Sequence, residues 1–340
     1  MRHSKLPLLA PFLIAAATLL TACGSTSHGG SKTITLYNGQ HEQTTAALVA
    51  AFAKQTGIKV DVRSGDEAEL GNQILQEGAN SPADVFYTEN TPVLEDLREK
   101  GLLAPVASST LAAVPGRYDS AQGDWVGVSA RVSALVYNTS LLDPSELPDS
   151  VLALAEPKWK GKLGFAPSET DFQPLITAIV KLDGAATAER WLTGLQANGK
   201  IYPDNETVVS QVNNGESALG PINHYYWYRL RAELGNGGMH SALHYYKQDD
   251  PGDLVNVSGA AVLKSSSHQA DAQAFLAFLV SHAGQETIAH SHSYEYPLRP
   301  GVPPAPGLRP FADIHPVALT PAELGDGSKA LAMEQKLGLL

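Results

Sequence analysis

Asn223-His224-Tyr225-Tyr226-Trp227-Tyr228 sets two adjacent phenols inside an aromatic run. A phenol ordinarily keeps its proton up to a pKa of about 10, so it ligates a cation only if that proton is displaced. A hard, highly charged ion can displace it and take the phenolate oxygen. Paired tyrosines are therefore one way to hold an oxygen-seeking ion, although an aromatic run can equally pack a core. Adjacent strand residues point to opposite faces, so two neighbouring hydroxyls converge only from a turn or a helix start. Residues 218–220 read as a strand ending just before the pair, and Asn223 suits such a start.

Two further candidates lie far upstream. Residues 33–37 alternate like a strand, Asn38-Gly39-Gln40-His41 forms a loop, and a helical pattern runs through Leu48 and Phe52 to Gly57. Residues 58–62 alternate again, giving strand, helix, strand. A second unit follows: residues 70–77 are helical, Ser81-Pro82 interrupts, residues 83–87 form a short buried strand, and a helix through Leu94 and Leu97 stops at Gly101. His41 and Glu89 thus fall just past the carboxyl ends of two parallel strands, the edge where open sheets bind ligands.

Farther on, residues 125–137 read as paired strands with a crossing between lobes, and 162–166 as a strand. Pro167-Ser168-Glu169-Thr170 leads into a helix through Leu175 and Ile179, and residues 189–195 and 208–214 are helical. Residues 254–263 suit a return crossing, 270–281 an amphipathic helix, 300–310 a proline-rich surface connection, and 319–340 a tail with a terminal helix. The fold class expected is α/β, two lobes joined by strands with a cleft between them.

The N-terminus indicates export. Arg2 and Lys5 precede an apolar run over residues 8–20, and Leu20-Thr21-Ala22-Cys23 places small residues directly before a cysteine, as in a lipidated secretory signal. The run is shorter than the roughly 20 residues a membrane span needs. Residues 1–22 are read as signal peptide and 23–32 as a lipidated end and flexible tether. Cys23 is the sole cysteine, so no internal disulfide is available. A formal net charge of -11 argues against nucleic acid and against adsorption to anionic lipid.

Tyr37-Asn38-Gly39-Gln40-His41, Asp84-Val85-Phe86-Tyr87-Thr88-Glu89, Asn223-His224-Tyr225-Tyr226-Trp227 and Val255-Asn256-Val257-Ser258-Gly259-Ala260 occur in this order. Together they resemble the ferric-iron-binding proteins of bacterial iron ABC transporters, in the type II periplasmic binding protein superfamily. The resemblance implies an interlobe cleft, with 33–130 and 256–306 in the N-terminal lobe and 131–255 and 307–340 in the C-terminal lobe. It implies a monomeric solute receptor, not an enzyme, that is lipid-anchored at the outer face of the cell membrane or periplasmic. The receptor captures ferric iron or a small iron chelate and hands it to an ABC permease.

Carried over residue by residue, the ligands are His41, Glu89, Tyr225 and Tyr226. Two phenolates and one carboxylate match a trivalent ion, with His41 neutral. Relatives often add a synergistic phosphate or carbonate. Asn90, Asn205, Asn223 and Arg131 resemble its holders, but Glu169 stands where a hydroxyl residue is usual. A carboxylate there would repel phosphate, so carbonate, water or Glu169 itself is expected instead. His244-Tyr245-Tyr246 is a look-alike in a strand-and-turn segment, and His282, His290 and His292 follow no zinc spacing. The rival readings are a receptor for polyamine, thiamine or an oxyanion, and an exported hydrolase, for which no nucleophile motif is present.

Overall fold

Ile34 and Leu36 turn inward from the first strand, Thr33–Gly39 (β1). The following helix, Glu42–Thr56 (α1), buries Leu48 and Phe52 and ends at Gly57. There a φ of 74° lets the glycine N–H reach the Ala53 carbonyl, a left-handed cap that a Cβ would penalise. Lys59–Ser64 (β2) returns parallel to β1. Glu67–Glu77 (α2) starts on Asp66, whose carboxylate accepts from the Ala68 and Glu69 N–H groups. Val85–Thr88 (β3) then pairs in parallel with the other edge of β1 and leads to Pro92–Glu99 (α3). Both β-α units therefore open on the same sheet edge. The computed structural model describes residues 32–340; the signal peptide, Cys23 and the tether before Lys32 lie outside the described residues.

After the single turn Ser108–Leu111 (α4), the segment expected as paired strands is one continuous strand, Val126–Asn138 (β4), buried along its whole length. No turn residues interrupt it, and Arg131, which breaks its apolar pattern, is itself buried. At about 3.3 Å per residue, a strand of this length can serve two sheets. Its first half pairs with Val255–Val262 (β9) and Tyr296–Pro297 (β10), with a register shift between Gly127 and Ser129. Its second half pairs with Leu219–Asn223 (β7) on one edge and Ser241–His244 (β8) on the other.

The second lobe adds Leu163–Phe165 (β5), Phe172–Asp183 (α5), Ala185–Asn198 (α6), Gly199–Ile201 (β6), Asn205–Asn213 (α7) and His224–Leu234 (α8). Gln269–Leu279 (α9) and His282–Ala289 (α10) pack on the first lobe. Pro321–Leu324 (α11) and Ser328–Leu337 (α12) close the chain against α5. The strand order is β2-β1-β3-β9-β4-β7-β5-β6. The architecture is mixed α/β and two-lobed, with β4 shared so intimately that Lys32–Leu340 forms one compact unit.

Each half has its own core. Ile34, Leu48, Phe52, Val85 and Phe275 pack in the first, and Leu135, Phe165, Ile176, Trp191 and Leu192 in the second. Phe52 meets Phe275 and Phe278 at ring separations of 5.0 and 5.5 Å. Phe52→Ala should cost about 3–5 kcal/mol through lost burial and a residual cavity, read as a lowered urea midpoint. Because Phe52 lies outside the cleft, the variant should retain ligand binding at room temperature.

Candidate metal centre

Four loops bring the candidate residues together. His41 is the N-cap residue of α1 at the carboxyl end of β1, but its side chain does not cap the helix. Glu89 and Asn90 follow β3, and Asp171 is the N-cap residue of α5 in the loop after β5. Asn223 is the N-cap residue of α8, so Tyr225 and Tyr226 lie in that helix's first turn. This is the helix start that two adjacent phenols require in order to converge, and their rings lie 4.0 Å apart at 31°. His224 holds the helix start in place. Its Nδ1 accepts from the Val132 N–H of β4 at 3.1 Å, and its Nε2 donates to the Tyr294 carbonyl at 2.9 Å. Burial lowers its pKa to about 4, so it stays neutral in this role.

Tyr225 is bonded across the cleft, and Tyr226 within its own lobe. The Tyr225 hydroxyl is positioned to donate to Glu89 Oε1 at 2.8 Å or to Asp171 Oδ2 at 3.2 Å. The Tyr226 hydroxyl lies 3.2 Å from the same Asp171 oxygen and 3.4 Å from Glu169 Oε2. Burial, then the Asp171 and Glu89 carboxylates, push both phenols well above their ordinary value, so both are protonated while no cation is bound. His41 lies edge-on to Tyr225 at 5.3 Å, with Nε2 3.6 Å from Glu89 Oε1. Its Nδ1 is 2.5 Å from Gln40 Oε1 and 3.4 Å from Glu295 Oε1. With the proton on Nδ1, the Nε2 lone pair faces the cleft, the usual arrangement of a ligating histidine with an oriented second nitrogen.

A second layer of charge supports these groups. Arg131 is fully buried, donating from Nη1 to Ser258 Oγ at 2.7 Å and from Nη2 to Asn90 Oδ1 at 2.5 Å and Asp171 Oδ1 at 3.3 Å. Glu295 is buried behind His41; burial alone would raise it, but the His41 hydrogen bond and Arg131 outweigh that and bring it to about 2. For His41, burial pulls downward, but Glu89 and Glu295 together lift the ring above its ordinary value. Glu67 accepts from the Asn90 N–H at 2.8 Å and its Nδ2 at 3.0 Å, and burial, reinforced by Glu89, raises it to about 8. Burial also raises Glu169 to about 8, with Asp171 and Glu206 adding to the effect.

His41, Glu89, Tyr225 and Tyr226 meet in the cleft, and Arg131 and Asn90 stand behind them. Asn205 and Asn223 line a small cavity beside Asp171. Glu169 reaches only Tyr226. The carboxylate that touches both phenols and Arg131 is Asp171, which sequence reasoning passed over because an aspartate before an apolar helix reads as a cap. Glu295, Gln40 and Glu67 were also missed. Gln40 adjoins His41, but no local signal marks the other two.

Among the described residues, no group of three or more His, Cys, Asp and Glu side chains is arranged to hold a metal ion. A site here must draw on tyrosine. His244 is spent on the Pro148 carbonyl at 3.0 Å, and His282 faces Glu286 at 3.3 Å on its own helix.

The family model described as bacterial extracellular solute-binding protein matches residues 38–286. The chain is 38% identical over 332 residues to the Fe(3+)-binding periplasmic protein of Serratia marcescens, spanning 98% of each. It is 40% identical over 308 residues to the major ferric iron-binding protein of Neisseria meningitidis serogroup B, covering 90% of this chain and 93% of that one. Among solved structures, iron-bound HitA from Pseudomonas aeruginosa superposes with a TM-score of 0.86 at 47% identity, covering 90% of this chain and 99% of that one.

Glu295 yields a prediction about the ligand-free protein. Its folded pKa of about 2 lies below the ordinary 4.5, so it adds stability above pH 4.5 that is lost as pH falls toward 2. Glu295→Gln should lower stability at neutral pH by on the order of 3 kcal/mol. Denaturant midpoints of variant and wild type should converge near pH 2, and an equal gap at every pH would remove the ion pair as the cause.

Proposed function

The chain belongs to the bacterial extracellular solute-binding proteins, in their ferric-iron-binding branch of the type II superfamily, and from that premise we propose that it captures ferric iron and delivers it to an ABC permease. One observation carries this reading. Two protonated phenols from one lobe meet a carboxylate and an imidazole nitrogen from the other, with the Tyr225 and Glu89 oxygens 2.8 Å apart. That separation is close to the ligand–ligand edge of about 2.8–3.0 Å around an octahedral ion with bonds of about 2.0–2.1 Å. Hard oxygen donors with one imidazole suit ferric iron. The ligands in this reading are His41, Glu89, Tyr225 and Tyr226. Arg131, Asn90, Asn205, Asn223 and Glu169 surround them, and a carbonate would have to compete with Asp171 for Arg131.

The protein is a carrier and not an enzyme. Its lobes, taken as 33–130 with 256–306 and 131–255 with 307–340, would part and close about the crossing strands β4 and β9. It acts outside the cytoplasm as a monomer, tethered through a lipid on Cys23; the apolar run and small residues before that cysteine support the anchor. A stacked organic cation is less well served. The Tyr225 ring is already covered by Tyr226, by the edge of His41 and by Arg229 at 4.8 Å.

Adding ferric salt should produce a visible tyrosinate-to-iron charge-transfer band that Tyr225→Phe/Tyr226→Phe abolishes. A band that survives the double substitution would sink the proposed ligand set. Because both phenols are raised, each must lose a proton on binding. Affinity should therefore fall by about 100-fold or more per pH unit on acidification. Chelator competition between pH 5 and 7 measures this, and a dependence no steeper than about tenfold would mean that at most one phenol ligates.

A further inference from the structure

Resting on the iron reading above, we propose that Asp171 is the site's own anion: its carboxylate completes the ferric shell, so iron binds without an exogenous anion and sheds any anionic chelator that carried it. Asp171 starts a helix but makes no capping bond. Its Oδ2 instead faces the Tyr225 and Tyr226 hydroxyls, both at 3.2 Å, while Oδ1 faces Arg131 Nη2 and Asn90 Nδ2, both at 3.3 Å. An ion that replaces the two phenol protons lies next to Oδ2, because these separations approach an octahedral edge of about 2.8–3.0 Å. The phenol protons pass to solvent. Bonds from iron to the phenolates, Glu89, Asp171 and His41 replace those to water or chelator, with no change of oxidation state.

Charge and space point the same way. Three positive charges on the ion and one on Arg131 balance two phenolates, Glu89 and Asp171, before buried Glu295 is counted. A further anion would leave an excess of negative charge in a buried site, which is costly. Both terminal nitrogens of the guanidinium that could hold it are engaged by Ser258, Asn90 and Asp171, and its Nε lies 3.9 Å from Glu89 Oε1, leaving one N–H for a further anion to claim. The cavity beside Asp171, lined by Ser133, Asn205 and Asn223, measures about 20 Å³, room for one water. The unpaired Asn223 Nδ2 could bond that water. The opening above His41 has a volume of about 300 Å³ and is lined by Glu42, Asp66, Glu67, Glu89 and Glu169 with no lysine or arginine. A polycarboxylate chelate entering there finds no lysine or arginine to hold it.

The test uses the mature chain, stripped of iron and kept in buffer free of phosphate and carbonate. It is loaded with ferric citrate carrying labelled citrate and then desalted. The expected result is one iron per chain, a charge-transfer band and no retained citrate, with affinity unchanged by added phosphate or bicarbonate. Asp171→Ala should lose affinity by about 100-fold, recover with bicarbonate or phosphate, and show a shifted band. Asp171→Asn, which preserves shape, should also weaken binding while its melting temperature confirms the fold. One citrate or phosphate retained per iron by wild type, or anion-independent binding equal to wild type in both variants, would overturn the assignment. A wild type with no band under any condition overturns the iron reading itself, and this inference with it.

Discussion

The cleft depends on keeping several buried acidic groups together without their mutual repulsion forcing it open. The bond from Tyr225 to Glu89 shows how. A proton held on the phenol makes it a donor to the carboxylate from the other lobe, so a contact that would repel as phenolate and carboxylate instead joins the lobes. Tyr226 likewise donates to Asp171, within its own lobe. Arg131 neutralises charge from below through a fixed guanidinium fork, a task a flexible lysine would perform less well. Glu67 and Glu169, both raised to about 8, hold protons at neutral pH and limit the repulsion further. The ligand-free site is thus protonated, and a cation takes the place of the protons.

The backbone makes that arrangement possible through the edge it presents. β1 and β3 run parallel and both open toward the cleft, delivering His41 and Glu89 from loops immediately after their last residues. β7 ends on Asn223, and the turn into α8 aims two successive side chains inward. β4 belongs to both sheets and carries Arg131 at the crossing, so the cation that steadies the carboxylates sits on the strand the two sheets share. His224 binds the tyrosine helix to this strand and to the Tyr294 carbonyl, beside Glu295.

The parts legible in the sequence were those with local signatures. Gly57 marked the end of α1, alternation marked β1 and β2, and the strand before the tyrosines called for a turn or a helix start, of which the structure has the helix start. Residues 125–137 misled because a polar Arg131 inside an apolar run resembles a break; only the buried carboxylates around it make it a permitted core residue. Asp171 was hidden by having an innocent local role available, since N-cap aspartates are common. Glu295 and Glu67 carry no signal because their importance comes from segments remote in sequence. The general lesson is physical: a ligand set is readable where the backbone announces a loop, while its charge partners become visible only once the chain is folded.

The same protonated phenols set a threshold for what can bind. Burial and nearby carboxylates make each proton hard to remove, so a cation must recover that cost through its bonds to oxygen. A trivalent ion has the charge to do so. A divalent ion of the alkaline-earth type prefers carboxylates, carbonyls and water and gains less from a phenolate. Glu89 and Asp171 alone would form a modest divalent site; tyrosine converts it to one that rejects weak Lewis acids, because until the phenols ionise, their O–H groups occupy the carboxylate oxygens the ion needs. Selectivity follows from the energy of deprotonation, and the cleft need not fit one radius closely. The cost is that any fall in pH strengthens the competing proton, which makes a tightly bound ion releasable by acidification without a chemical reaction.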